Sequence, residues 1–106
     1  MPPNETNSAE PVRSMYADDP DFRDLLEPFA AAIPERLCGI LDSHRSATYD
    51  LLRTQAHQLK GAGGGYGFPQ LSELAAELEK ACVSQDPQRI IAALEPLVSY
   101  MNRITV

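Results

Sequence analysis

The sequence lacks the long apolar segments and the cysteine pairs that mark several classes of protein. It contains no run of about 18 apolar residues, so we expect no membrane span, and the polar residues 1–15 contain no signal-peptide core. Its two cysteines, Cys38 and Cys82, form no CxxC pair, which favours buried free thiols over a disulfide and argues against a zinc site. These absences predict a cytoplasmic protein without a bound metal.

Basic residues are also scarce. The chain has 9 Lys and Arg against 15 Asp and Glu, for a net charge of −6. Because nucleic-acid binding needs a basic face that neutralises phosphates, we expect no nucleic-acid partner. With 106 residues, the chain can form one domain but cannot hold a nucleotide-binding fold together with a substrate domain.

The apolar pattern predicts four helices and no strands. The first begins near Asp18, the second covers about residues 47–66, and the third and fourth begin at Pro69 and Pro87. Short connections require neighbouring helices to run in opposite directions. The predicted fold is therefore all-α, an antiparallel up-down four-helix bundle over residues 18–106, preceded by a short flexible N-terminal arm at residues 1–17.

The predicted first helix has an apolar residue at every fourth position. Its stripe consists of Leu25, Phe29, Ile33, Leu37 and Leu41. Two prolines, Pro28 and Pro34, lie inside it, and each removes a backbone donor. We therefore expect a kink, or a break into two pieces, near Ile33.

The second predicted helix contains an unusual cluster of glycines. Of the six in the chain, five lie within seven residues, at positions 61, 63, 64, 65 and 67. Each interior glycine costs a helix up to about 1 kcal/mol relative to alanine, so the cluster needs a reason, and close approach by another molecule is the usual one. Gly67 suits a C-terminal cap.

A histidine precedes this cluster on the same helix. At about 100° per residue, Arg53, Lys60, Gly61 and Gly64 all lie within about 60° of His57, while the apolar stripe points the other way. The imidazole is thus predicted to face solvent between two cations, beside a surface that has no side chains. A neutral imidazole in that setting is a nucleophile suited to an anionic group such as a phosphoryl group.

Residues 56–67, AHQLKGAGGGYG, resemble the H-x-L-K-G signature of histidine-containing phosphotransfer (HPt) domains. The resemblance extends from about Asp18 to Ile104 and includes the Asp-Pro opening and the Leu-Ala-x-x-Leu-Glu pattern of the third helix. It implies that His57 accepts a phosphoryl group, that Lys60 steadies that group and that Gly61 gives clearance to the partner. The helical positions add Arg53 as a second cation for the phosphoryl group and Gly64 as a second clearance position.

The resemblance also points to Glu79, which follows the histidine by 22 residues. HPt domains often place a polar side chain there against the second ring nitrogen. A carboxylate at that position can accept the Nδ1 proton and leave Nε2 free to attack. The alternative is a solvated glutamate paired with Lys80 or another surface cation, which contributes little to stability.

The function that the resemblance implies is a phosphorelay intermediate. His57 would receive the phosphoryl group from a receiver-domain aspartate or a histidine kinase, sensor or hybrid, and pass it to the receiver aspartate of a response regulator. The partner would supply the Mg²⁺ and most of the catalysis, so we expect no cofactor and no autonomous enzyme activity in this chain. We also expect a monomer, and a patch near Leu51 and Phe68 that contacts the partner. The alternative is a helical adaptor that docks on receiver or kinase domains without being phosphorylated.

Overall fold

The computed structural model describes residues 10–105 and contains four helices. They are α1 (Pro20–Arg45), α2 (Tyr49–Gly65), α3 (Pro69–Ser84) and α4 (Pro87–Arg103). Helix α2 packs against α1 and α3, and α4 packs against α3 and α1. Within residues 10–105 the only extended pairing is a single bridge between Val12 and Ile104. The predicted all-α four-helix bundle is confirmed.

Helix α1 is continuous over 26 residues. Of the two outcomes expected near Ile33, a kink or a break into two pieces, the break is therefore not present, and the kink stays a prediction. Pro28 and Pro34 both lie on its exposed side. There, the carbonyl groups that lose their intrahelical partner can bond to water, which lets the helix continue past each proline.

The buried stripe of α1 differs from the expected one at its two ends. Leu25 is 53% exposed, and its neighbour Leu26 is buried instead; near the other end Ile40 is buried, while Leu41 is half-buried. Because a helix turns every 3.6 residues, a pattern that repeats every fourth residue drifts away from the core over five turns. The central positions of the stripe are buried as predicted.

Helices α1 and α4 each begin with an aspartate cap. The side chain of Asp19 accepts a hydrogen bond from the backbone of Asp21, and that of Asp86 accepts one from Gln88 at 3.0 Å. Each cap precedes a proline at the first helical position. Helix α2 begins two residues later than expected because Ala47 has a left-handed backbone, with φ of 55°.

The core lies where the four helices face one another. The largest fully buried side chains are Phe68, Ile40, Leu52, Leu59, Leu71, Leu78, Ile90, Leu97 and Met101. Phe68 is therefore unavailable to a partner, and its expected place in a contact patch is wrong, whereas Leu51 is 49% exposed. Cys82 is a buried free thiol as expected, but Cys38 is exposed.

The N-terminal segment, residues 10–17, contacts the bundle. Val12 exchanges backbone hydrogen bonds with Arg103 and Thr105 at the end of α4, and the Ser14 hydroxyl donates to the carbonyl of Tyr66 at 2.6 Å. Residues 1–9 of the predicted arm lie outside the described residues, and its flexibility stays a prediction. No helix between residues 10 and 105 is both long and apolar enough to cross a membrane.

Candidate functional site

His57 lies at the exposed edge of α2. Leu52, Ala56 and Leu59 are fully buried and fix which side of the helix faces the core. The His57 side chain remains 65% exposed. Its Nε2 atom makes no hydrogen bond to any part of the chain between residues 10 and 105, so this nitrogen is open to solvent.

Glu79 reaches the other ring nitrogen from α3. Its Oε2 atom lies 2.8 Å from Nδ1 of His57, and its side chain is only 19% exposed. Because an ionised carboxylate can only accept hydrogen bonds, this contact favours the imidazole with its proton on Nδ1. The structure thus brings together two residues that lie 22 positions apart in the sequence, as the family resemblance implied.

The second oxygen of Glu79 is paired with Lys60, whose Nζ lies 2.8 Å from Oε1. Hydrogen bonds from Lys60 and then His57 lower the pKa of Glu79, and they outweigh the partial burial that would raise it. The carboxylate is therefore ionised at neutral pH. Lys80, the alternative partner from the sequence analysis, instead lies 3.6 Å from Glu77.

Arg53 lines a shallow depression that also contains His57 and Glu79. Within residues 10–105 it makes no ion pair, so its charge is available to an anion that enters the depression. Cys82 lies near the same charges. Burial raises the pKa of its thiol, and the nearby Arg53 opposes this only in part, so Cys82 is not a thiolate nucleophile at neutral pH.

The glycines of α2 divide into two kinds. A Cβ added at Gly61 would have nothing within 4 Å, and one added at Gly64 would meet only the Ser72 Oγ, at an ordinary 3.7 Å. Packing within the chain does not require glycine at these two positions, and both are exposed. They leave the surface next to His57 bare, as the sequence analysis predicted.

Gly63 and Gly67 are needed by the fold itself. A Cβ at Gly63 would lie 2.6 Å from Ser72 Oγ and 2.9 Å from its backbone nitrogen. Gly67 follows the end of α2 with φ of +83°, and a Cβ there would collide with Ser14 and Tyr16. The predicted cap at Gly67 is confirmed, because only glycine adopts this backbone without strain.

Ser72 is a contact of the site that the sequence analysis missed. Its hydroxyl donates to the Lys60 carbonyl at 2.7 Å and accepts from the backbone nitrogen of Gly64 at 2.8 Å. Gly63, on the buried stripe of α2, could have indicated this contact in the sequence. A glycine at a buried position lets a neighbouring helix approach closely.

Residues 10–105 contain no group of three or more His, Cys, Asp or Glu side chains that could hold a metal ion. The site instead consists of the imidazole of His57, the carboxylate of Glu79 and the cations Lys60 and Arg53, and Asp50 also lines the depression.

In a comparison with known protein families, the Hpt domain family matches residues 23–103, which include nearly all of the four helices. No curated protein and no solved structure matches the chain significantly.

Proposed function

This chain belongs to the Hpt domain family, and we propose that it carries a phosphoryl group on Nε2 of His57 between the receiver domains of a phosphorelay. Membership in the family gives it a phosphotransfer role in two-component signalling, with receiver domains and histidine kinases as its class of partner. The observation that carries the proposal is the 2.8 Å contact between Nδ1 of His57 and Glu79, on an imidazole that is 65% exposed.

The proposed reaction is a reversible transfer between two side chains. The lone pair of Nε2 attacks the phosphorus of a receiver aspartyl phosphate, a P–N bond forms, and the P–O bond to the aspartate breaks. The proton on Nδ1 stays in place, so the phosphorylated ring carries a positive charge. The ionised carboxylate of Glu79 offsets that charge at hydrogen-bond distance. Transfer to the next aspartate is the reverse of these steps.

The cations supply the charge that the phosphoryl group needs. Lys60 lies one turn beyond His57 and is 41% exposed, so its ammonium can turn from Glu79 toward the phosphoryl oxygens. Arg53 borders the same depression and gives a second positive charge. These positions support the assignment of both residues to stabilising the transferred group.

Gly61 and Gly64 are proposed to give the partner clearance. A receiver must bring its aspartate within bonding distance of Nε2, and side chains one or two turns beyond His57 would obstruct that approach. The open space around Gly61 supports this assignment.

The chain itself contributes a nucleophile and a docking surface. We propose that the receiver supplies the aspartate, the Mg²⁺ and most of the catalysis, and that this chain has no cofactor and no autonomous enzyme activity. We also propose that it acts as a cytoplasmic monomer without a nucleic-acid partner. The adaptor alternative gives no role to the open Nε2 atom or to the glycine clearance, and no observation favours it.

The test is phosphoryl transfer from a phosphorylated receiver domain of the same organism to the purified chain. Wild type and the His44→Gln variant should both acquire a label that survives base and is lost in acid, as a phosphoramidate is. The His57→Gln variant should acquire none. His44 is the matched control because it is the other of the two histidines in the chain. Binding of several receivers without transfer to any variant would support the adaptor.

A further inference from the structure

The Ser72 hydroxyl of α3 lies between two backbone groups of α2. It donates to the carbonyl oxygen of Lys60 at 2.7 Å and accepts from the amide of Gly64 at 2.8 Å. A carbonyl and an amide four residues apart are the pair that bonds within an α-helix. The hydroxyl therefore joins α3 to the hydrogen-bond ladder of α2 at the turn that follows His57.

Gly63 makes this contact possible. Its own Cβ would lie 2.6 Å from the Ser72 Oγ, closer than real side-chain atoms approach. The glycine is buried, whereas Gly64 beside it is exposed. Gly63 therefore serves packing between α2 and α3, and does not serve clearance for a partner.

Lys60 is held by α3 at two points. Ser72 bonds to its backbone carbonyl, and Glu79 pairs with its ammonium group at 2.8 Å. Ser72 and Glu79 are seven residues apart on α3, which is about two helical turns, so both lie on the face directed at α2. One face of α3 thus contacts both the backbone and the ammonium group of Lys60, the cation next to His57.

The turn that carries Lys60 needs such support. Glycine occupies positions 61, 63, 64 and 65, directly after Lys60. Each glycine destabilises a helix by up to about 1 kcal/mol relative to alanine. A frayed turn would let the Lys60 backbone, and with it the ammonium group, move away from His57.

We propose that Ser72 is a positioning residue for phosphoryl transfer, which holds the backbone between Lys60 and Gly64 so that the Lys60 ammonium, now paired with Glu79, stays within reach of the group on His57. The inference rests on the proposed function and deepens it, because it adds a residue of α3 that contacts neither the imidazole nor the phosphoryl group. Ser72 acts through Lys60 and through Gly63, which leaves room for its hydroxyl.

The test compares Ser72→Ala with a matched control on the same helix, Ser84→Ala. Ser84 also donates to a carbonyl, that of Ala81 at 2.6 Å, and accepts from a backbone amide, that of Asp86 at 3.2 Å, and neither of these two partners belongs to α2. For each purified variant, the rate of transfer from a phosphorylated receiver domain is measured over a range of receiver concentrations. The maximal rate and the half-saturating concentration are then obtained separately.

We expect the Ser72→Ala variant to lose about three- to tenfold in maximal rate, the effect of one hydrogen bond, with its half-saturating concentration unchanged. The amide of Gly64 should exchange with solvent deuterium faster by a similar factor. The Ser84→Ala variant should keep the wild-type transfer rate even if it is less stable than the wild type.

Two results would count against the inference in different ways. Equal maximal rates for Ser72→Ala and Ser84→Ala, where the wild type accepts the phosphoryl group, would overturn the positioning role alone. A wild type that accepts no phosphoryl group from any receiver would overturn the proposed function, and the role of Ser72 with it.

Discussion

The side chains of Glu79 and His57 meet across the interface of α2 and α3, with Oε2 of the carboxylate 2.8 Å from Nδ1 of the ring. Because an ionised carboxylate only accepts hydrogen bonds, this contact favours a proton on Nδ1 and leaves Nε2, the proposed nucleophile, exposed. The same carboxylate uses its other oxygen to hold Lys60. A single glutamate therefore orients both the proposed nucleophile and the proposed phosphoryl-stabilising cation.

Removal of this carboxylate should change the tautomer of the imidazole. In a Glu79→Ala variant, neutral His57 should distribute its proton over both ring nitrogens, and phosphoryl transfer should slow by about ten- to a hundredfold, since a hydrogen bond to a charged group contributes roughly 1.5–3 kcal/mol. Nitrogen-15 chemical shifts of the ring measure the tautomer directly. Glu77→Ala is the matched control because Glu77 lies on the same helix and pairs with Lys80. An unchanged tautomer in Glu79→Ala would remove the orienting role.

The stability of the protein should depend on the ionisation of Glu79 in acid. Its pKa in the folded state lies below the ordinary value of 4.5, chiefly because Lys60 and then His57 donate to the carboxylate. A depressed pKa adds stability that is fully present above the unfolded value and is lost as the pH falls through the folded value.

The free energy of unfolding of the wild type should therefore exceed that of Glu79→Gln at pH 6, and the difference should shrink as the pH falls below 4.5. Urea unfolding at a series of pH values measures it. A difference that stays constant from pH 6 down to pH 3 would show that the ion pair and hydrogen bond do not stabilise the folded state.

Replacement of Gly61 should affect the fold and the partner in opposite directions. Because a Cβ there meets nothing within 4 Å, Gly61→Gln should stabilise the helix by up to about 1 kcal/mol. The long side chain should nevertheless obstruct a receiver and slow transfer. Gly65→Gln is the control, since position 65 is equally open but lies a further turn from His57. Thermal unfolding and transfer rates check both expectations, and equal transfer by the two variants would refute the clearance role.

Loss of the Lys60 charge should slow transfer more than it lowers stability. The Lys60–Glu79 pair is partly exposed, so Lys60→Gln should cost no more than about 1 kcal/mol of unfolding free energy. The transfer rate should fall about tenfold, because the ammonium group offsets the charge of the phosphoryl oxygens. Lys80→Gln removes a more exposed cation from α3 and should leave the rate unchanged. Equal rates for the two variants would place the role of Lys60 in stability alone.

Much of the fold could be predicted from local sequence patterns. Each of the caps at Asp19 and Asp86 is a hydrogen bond to a residue two positions away, and the glycine at position 67 marks the end of one helix by its positive φ. Such features are encoded within one helix or one turn. The prediction of a helix break near Ile33 was wrong because the effect of a proline depends on whether it lies on the solvent-facing side of the helix. Tertiary packing decides which side that is.

Sequence periodicity predicted those features of the candidate site that lie within a single helix. The outward position of His57 and the bare surface at Gly61 follow from helical periodicity, and position 79 came from a family resemblance. The contacts of Ser72 and the pairing of Lys60 with Glu79 depend on how far α3 is shifted along α2. Sequence periodicity gives the direction of a side chain around its own axis, but it does not give that shift.

The most direct measurement is the identification of the phosphorylated atom. The chain, labelled with nitrogen-15 in its histidines, is incubated with a phosphorylated receiver domain, and its spectrum is recorded for coupling between phosphorus and each ring nitrogen. The account predicts a P–N bond at Nε2 of His57 and an Nδ1 that keeps its proton against Glu79. A phosphoryl group on Nδ1, on His44, or on no histidine at all would contradict it.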